Sequence, residues 1–263
     1  MITSVQNSRV KDTVKLRDRR RRDRSGLTLV EGYRELRQAI THGVRPHVVY
    51  FCRGYFLGDN EDALLQLARD AGAELIETDT RVFDKLSYRD RPDGLLAVTP
   101  KIGLALEELQ LPENPFLLVA EGLEKPGNLG TILRSADGAG VDAVVICDRT
   151  TDLNNPNVVR ASVGTLFTMP VAESATEDTL AWLREKGVRS LAATPAAELC
   201  YWDADLTGPL ALVVGSEQYG LTDTWLEAAD ICVRIPQLGA ADSLNVATAS
   251  TILLYEALRQ RQQ

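Results

Sequence analysis

The chain alternates short apolar runs with amphipathic stretches, and that rhythm predicts an α/β protein. Residues 5–24 form a basic segment whose weak apolar side is Val5, Val10, Val14 and Leu16, and they are expected to be one helix. Strands are expected at Leu27–Val30, Val48–Cys52, Glu74–Glu77 and Gly94–Val98, with helices at Glu31–Thr41, Glu61–Ala71 and Arg81–Leu86 between them. The stretch 99–115 holds Pro100, Pro112 and Pro115, which break regular structure, so a domain boundary is placed there. This divides the chain into residues 1–110 and 111–263. The second part opens on the continuous apolar run Phe116–Ala120, which suits a strand buried on both faces. Further strands are expected at Ala143–Cys147, Arg189–Ala193, Leu210–Val214 and Ile231–Ile235, and helices at Leu129–Ala139, Glu177–Lys186, Thr222–Ala229 and Val246–Arg261. Such alternation implies a mostly parallel sheet with helices on both faces.

Composition narrows the class. The 263 residues are 44% hydrophobic and 25% charged, which is ordinary for a globular chain and argues against disorder, collagen or coiled coil. No apolar run approaches the roughly 20 residues of a membrane helix, and no apolar leader precedes the basic segment, so a cytoplasmic protein without a membrane anchor is expected. The four cysteines, Cys52, Cys147, Cys200 and Cys232, form no CxxC pair, and free thiols in a reducing compartment are expected.

The net charge of −8 conceals an asymmetry. Residues 1–24 carry nine basic and three acidic side chains, a net +6, so the remaining 239 residues carry −14. A concentrated basic stripe on an acidic body is the pattern of a local polyanion contact, and it is also what a solvated helix face would show. Arg9, Lys11, Lys15, Arg19, Arg20 and Arg22 are the candidate RNA-contacting residues of that stripe.

Several chemistries lack their residues. Walker A, GxGxxG, HExxH and GxSxG patterns are absent, and the only histidines, His42 and His47, fall in the first part. A Ser-His-Asp triad confined to the second part is therefore excluded, and no metal is expected. An enzyme built there must work with Arg, Glu, Ser, Asn and main-chain groups.

Three turns in the second part carry such residues. Lys125-Pro-Gly-Asn128-Leu-Gly130 leads into a helix bearing Arg134, with Asn128 placed as an N-cap. Gly215-Ser216-Glu217-Gln-Tyr-Gly220-Leu221 follows an apolar strand. Ile235-Pro236 precedes Ser243-Leu244-Asn245, which opens the last helix. Each alone is also compatible with an ordinary strand–helix connection. Their order and separation over residues 116–260 resemble the three motifs of the SpoU (TrmH-type) family of RNA 2'-O-ribose methyltransferases in the SPOUT superfamily. One departure is Ser216, where the family often has Asn.

The resemblance implies a parallel sheet with a deep trefoil knot, a homodimer, and S-adenosylmethionine as cofactor. It implies that Gly215, Ile235 and Leu244, with Gly220 and Leu221, hold the cofactor. Arg134 is then expected to clamp a phosphate and stabilise the developing alkoxide, because a guanidinium with a pKa above about 12 is a poor base. Ser243 and Asn245 are expected to orient the ribose, and Asn128 and Glu217 to brace the loops. Arg160, in Asn157-Val-Val-Arg160, is a further candidate phosphate contact, with a surface salt bridge as the alternative. The first part, through Leu29-Val-Glu31-Gly32 and its αβ rhythm, is similar to the smaller α/β substrate-binding domain found in ribosomal RNA members of the family. Large-subunit ribosomal RNA is the expected substrate. A tRNA 2'-O-methyltransferase and a non-catalytic RNA-binding assembly factor are the alternatives.

Overall fold

The computed structural model describes residues 1–262. They form two compact units. The first comprises residues 1–102 and, returning later in the chain, 152–168; the second comprises 103–151 and the chain from 169 onward. This differs from the division at residue 110 in two ways. Leu106 and Leu109 are buried in the core of the second unit, which moves the boundary upstream. Residues 152–168 leave the second unit altogether.

The first unit is built from α1 (Ser8–Lys15), α2 (Arg19–Ser25), β1 (Leu27–Glu31), α3 (Tyr33–Thr41), β2 (Val48–Phe51), α4 (Glu61–Asp70), β3 (Glu74–Glu77), α5 (Thr80–Leu86) and β4 (Leu95–Pro100). Its four-stranded sheet has the order β1-β4-β2-β3. β4 runs antiparallel to β1 and β2, and β2 is parallel to β3. The helix expected over 5–24 is two helices. Leu16 closes α1, and Asp18 accepts a hydrogen bond from the Arg21 N–H to cap a new helix, which ends at Gly26 with φ +68°. A polar side chain that caps a new turn competes with continuation of the old one. The apolar side is real nonetheless: Val10 and Leu16 are buried in the core, with Val5 and Val14 packed against it.

The returning segment carries a helix, α7 (Pro156–Ser162), that the hydrophobic pattern did not announce. It is tied down by polar contacts. The Thr28 hydroxyl donates to the Asn154 carbonyl, and the Asn154 side chain exchanges two hydrogen bonds with the Ile102 main chain. Arg22 is 2% exposed; its Nε and Nη2 donate to Asp152 Oδ2 at 3.0 and 2.6 Å, and Nη1 donates to the carbonyls of Leu16 and Arg17.

The second unit contains β5 (Phe116–Glu121), α6 (Pro126–Gly138), β6 (Ala143–Cys147), β7 (Val171–Ser174), α8 (Thr176–Glu185), β8 (Arg189–Ala193), β9 (Leu199–Cys200), β10 (Leu210–Val214), α9 (Asp223–Ala228), β11 (Ile231–Arg234) and α10 (Val246–Arg261). All seven strands are parallel, in the order β7-β6-β5-β10-β8-β11-β9. The two edge strands, β7 and β9, were not anticipated; at four and two residues they leave too little pattern to read.

Strand side chains alternate between faces. Leu117, Val119, Ala211 and Val213 pack with Leu180, Leu183 and Trp225 from α8 and α9. Their neighbours Leu118, Ala120, Leu212 and Val214 are buried as well, on the face where α10 packs against β10 and α6. The sheet is thus covered on both sides, and its strand-end loops are left to carry chemistry.

Candidate active site

Three loops at the carboxyl ends of β5, β10 and β11 meet in the second unit. After β10 the chain makes a tight loop closed by reciprocal main-chain bonds, Ser216 N–H to the Gly220 carbonyl at 2.9 Å and Gly220 N–H to the Ser216 carbonyl at 3.1 Å. A Cβ at residue 215 would collide with the backbone of Gly220 and Leu221, so only glycine closes this loop. Gly220 sits at φ +71°.

The closed loop presents Glu217 to the start of α6. Its carboxylate accepts from the Glu124 and Lys125 N–H groups at 2.9 and 3.1 Å, and from Asn128 Nδ2 at 2.6 Å. Burial pushes the Glu217 carboxyl up, but these donors outweigh it and hold the pKa below the usual carboxylate value. Asn128 Oδ1 in turn accepts from Asn245 Nδ2 at 3.1 Å. Asn245 Oδ1 accepts the Ala247 N–H and so caps α10. One chain of hydrogen bonds, Glu217 to Asn128 to Asn245, therefore joins all three loops. Asn128 does not cap α6 as expected. The cap position is Lys125, Pro126 fills the first helical position, and Asn128 lies inside the first turn with its amide committed to the network.

Beside this network is a cavity of about 630 Å³. Gly215, Gly220, Leu221, Ile235 and Leu244 all line it, as do Glu217, Ser243 and Asn245. The size suits a drug-sized ligand, and its walls mix aliphatic side chains with main chain and a few polar groups. Ser243 is exposed and has no hydrogen-bond partner among the described residues, whereas both ends of the Asn245 amide are engaged. Thr194 and Pro195, just after β8, also line the cavity, with Gln237, Asp242 and Tyr219. These were missed. The position of Thr194 and Pro195 at the carboxyl end of a parallel strand was the available signal.

Arg134 lies elsewhere on α6. It is exposed and does not line the cavity. It lies one residue before Ser135, whose hydroxyl meets Thr251 of α10 at 2.6 Å. Arg160 is exposed on α7, in the first unit.

The basic stripe divides. Arg22 is withdrawn from the candidate RNA contacts, because its guanidinium is buried against Asp152 and two carbonyls. Arg9 is paired with Glu74 and Lys15 with Asp12, both on the surface, and Arg19 lies 3.7 Å from Asp23. Lys11 and Arg20 are exposed. Among the described residues no group of three or more His, Cys, Asp or Glu side chains is arranged to hold a metal, and no helix is long and apolar enough to cross a membrane.

Comparison with known proteins bears on the whole chain. Residues 115–255 match the SpoU rRNA Methylase family, and residues 7–97 match the MRM3-like substrate binding domain. A 23S rRNA (guanosine-2'-O-)-methyltransferase, RlmB of Pectobacterium atrosepticum, is 38% identical over 223 residues, covering 80% of this chain and 91% of the relative. A crystal structure titled RNA 2'-O ribose methyltransferase superposes with a TM-score of 0.87 at 41% identity, covering 100% of this chain and 99% of that one. The AdoMet-bound rRNA methyltransferase of Sinorhizobium meliloti superposes with a TM-score of 0.90 at 30% identity, covering 98% and 97%. The family match spans all three loops joined by Glu217, Asn128 and Asn245, and it covers more than half of the residues. The chain belongs to the SpoU rRNA methylase family.

Proposed function

We propose that the protein transfers a methyl group from S-adenosylmethionine to a ribose 2'-hydroxyl of large-subunit ribosomal RNA. The observation that carries this reading is the Glu217–Asn128–Asn245 hydrogen-bond chain, which ties three sequence-distant loops around one cavity. The cavity fits the cofactor. The loop that Gly215 closes against Gly220 and Leu221 brings main chain to the cavity wall, and Ile235 and Leu244 offer aliphatic cover for an adenine ring. Bound there, S-adenosylmethionine supplies an electrophilic methyl on a positively charged sulfur.

The protein's own groups then have alignment as their main task. Glu217 and Asn128 hold the β10 loop against α6, and Asn245 fixes the start of α10 to the same network. Ser243, with its uncommitted hydroxyl, orients the ribose; Asn245, engaged at both ends, acts by positioning. Arg134 secures the phosphate next to the reacting sugar and stabilises the charge that builds on the 2'-oxygen as its proton passes to water. Lys11, Arg20 and Arg160 add phosphate contacts, being basic and exposed. The knotted path implied by family likeness belongs to this reading. It is supported by the return of α10 from β11 onto β10 and α6. A homodimer also belongs to it, supported by the half-exposed Tyr255 on α10. A cytoplasmic location also belongs to this reading, in keeping with a ribosomal RNA substrate.

The test is transfer of labelled methyl from S-adenosylmethionine to ribosomal RNA lacking its native 2'-O-methyl groups, with the modified position mapped. Incorporation at a single ribose is expected. Cofactor binding without transfer to ribosomal RNA, combined with transfer to tRNA, would replace the substrate; no binding of the cofactor by calorimetry would end the reading.

A further inference from the structure

The loop after β10 is fastened at two places. Glu217 holds its tip to the start of α6. Its exit is held by Glu121, the last residue of β5, which is 3% exposed. The Thr222 N–H donates to Glu121 Oε2 at 2.8 Å, the Thr222 hydroxyl to Oε1 at 2.8 Å, and the Thr176 hydroxyl to Oε1 at 2.9 Å. Thr176 opens α8, and its oxygen accepts from the buried Trp225 Nε1 at 3.2 Å, which leaves its single proton for Glu121.

Two carboxylates therefore clasp two neighbouring connections in opposite directions. Glu217, in the β10 loop, accepts main-chain N–H groups at the start of α6; Glu121, at the end of β5, accepts the main-chain N–H that closes the β10 loop. The connections run side by side: a Cβ on Gly122 would lie 3.7 Å from the Ser216 Cβ. Gly220 and Leu221, both on the cavity wall, lie between the Glu217 and Thr222 fastenings. Leu226, also on the wall, donates its N–H to the Thr222 carbonyl at 3.1 Å. Thr176, by contrast, is not on the wall. A buried charge is costly, and an apolar side chain of like volume would pack strand to helix as well. What the carboxylate adds is a fixed place for Thr222, which donates to both of its oxygens.

We propose that Glu121 is a positioning residue of the cofactor site: by fixing Thr222 it sets where Gly220 and Leu221 stand in the cavity wall. The proposal rests on the reading that this cavity holds S-adenosylmethionine, and it gives Glu121 no contact with the cofactor or the RNA.

The two threonine hydroxyls share one acceptor oxygen, so removing either takes one bond from Glu121, and only that of Thr222 adjoins the loop. Thr222→Val and Thr176→Val are compared in the full chain by calorimetry with S-adenosylmethionine, well below each thermal midpoint. Thr222→Val is expected to weaken binding by at least about fivefold, the lower end of coupling between linked groups. Thr176→Val should stay within about twofold of wild type, the scatter of independent sites, whatever it does to the midpoint. Glu121→Gln keeps the side-chain shape but sets an amide donor against either the Thr222 N–H or the two hydroxyls, and should weaken binding at least as much as Thr222→Val. In the cofactor-free protein it should also speed hydrogen exchange of the Gly220 and Thr222 amides while leaving that of Val213 in β10 unchanged. Equal effects of the two threonine substitutions, as a purely structural tie predicts, would overturn the proposal. So would wild-type affinity in Glu121→Gln or Thr222→Val. If Glu121→Gln fails to fold, the threonine pair decides; if Thr222→Val fails as well, the carboxylate serves folding itself and the proposal falls. Wild-type protein that binds no S-adenosylmethionine ends the methyltransferase reading and this role with it, whereas normal wild-type binding with indistinguishable variants ends this role alone.

Discussion

Arg134 and Glu217 would serve the proposed site in two different ways. Arg134 is exposed and outside the cavity that would hold the cofactor, so its removal should leave cofactor binding intact. Arg134→Ala is expected to lower methylation by about 10²–10³-fold, the range seen when one transition-state donor is lost. Steady-state kinetics beside calorimetry with S-adenosylmethionine checks this, and near-normal turnover would refute the role. Glu217 acts through its lowered pKa. A carboxyl whose pKa is lower folded than unfolded adds stability that is complete above the unfolded value and is lost as the pH falls through the folded one. Cofactor affinity should therefore decline in acid as Glu217 protonates and releases the Glu124 and Lys125 N–H groups. Glu217→Gln should bind more weakly at neutral pH, by about tenfold given about 1.5–3 kcal/mol for a hydrogen bond to a charged group. The variant should also show a flatter acid profile in the same titration. Glu217 stands out in the sequence as a polar group in a glycine-flanked turn, and Arg134 as a basic residue four positions after Gly130, but nothing in their spacing says that Glu217 faces Asn128.

The element that most changes the reading is α2 with its contact to the returning segment. Four consecutive arginines look like a phosphate-binding face, yet Arg22 is the residue at which α2 turns inward. Asp152, 4% exposed, is left as a buried charge if that guanidinium is removed. Arg22→Ala should cost about 3–5 kcal/mol of stability, as breaking a buried pair does, measured by urea denaturation. Arg20→Ala should change stability by no more than about 0.5 kcal/mol, because its side chain is exposed. Similar losses from both would show that Arg22 has no special place. The same element explains why part of the fold was illegible. A helical period does not reveal that Asp18 will cap a second helix. A seven-residue helix such as α7, between Asn155 and Val163, has no long apolar stripe to announce it. The long buried strands were legible, since runs such as Leu210–Val214 have one plausible use.

At the scale of the molecule, the positive charge is concentrated in a segment remote in sequence from the proposed active-site loops. The basic segment 1–24 carries +6 in a chain of net −8, so affinity for RNA should fall steeply with salt. Each phosphate contact contributes about 0.7–0.9 to the slope of log affinity against log salt. Removing Lys11 and Arg20 together should lower that slope by about 1.4–1.8 without altering cofactor affinity, whereas Arg22→Ala should affect the slope only through unfolding. A filter-binding series between low and physiological salt measures both. An unchanged slope in the double variant would remove the segment from the RNA contact.

From the sequence alone came the α/β class, nearly every long strand and helix, and eight of the loop residues that line the cavity. Local hydrophobic period and turn chemistry are properties of neighbouring residues, and they survive without coordinates. Tertiary structure alone decided that residues 152–168 join the first unit, that Arg22 is an internal ion pair, and that Glu217, Asn128 and Asn245 form one network. Each of these depends on partners between 52 and 130 positions apart in the chain, where burial and hydrogen-bond geometry, rather than local propensity, select the contact.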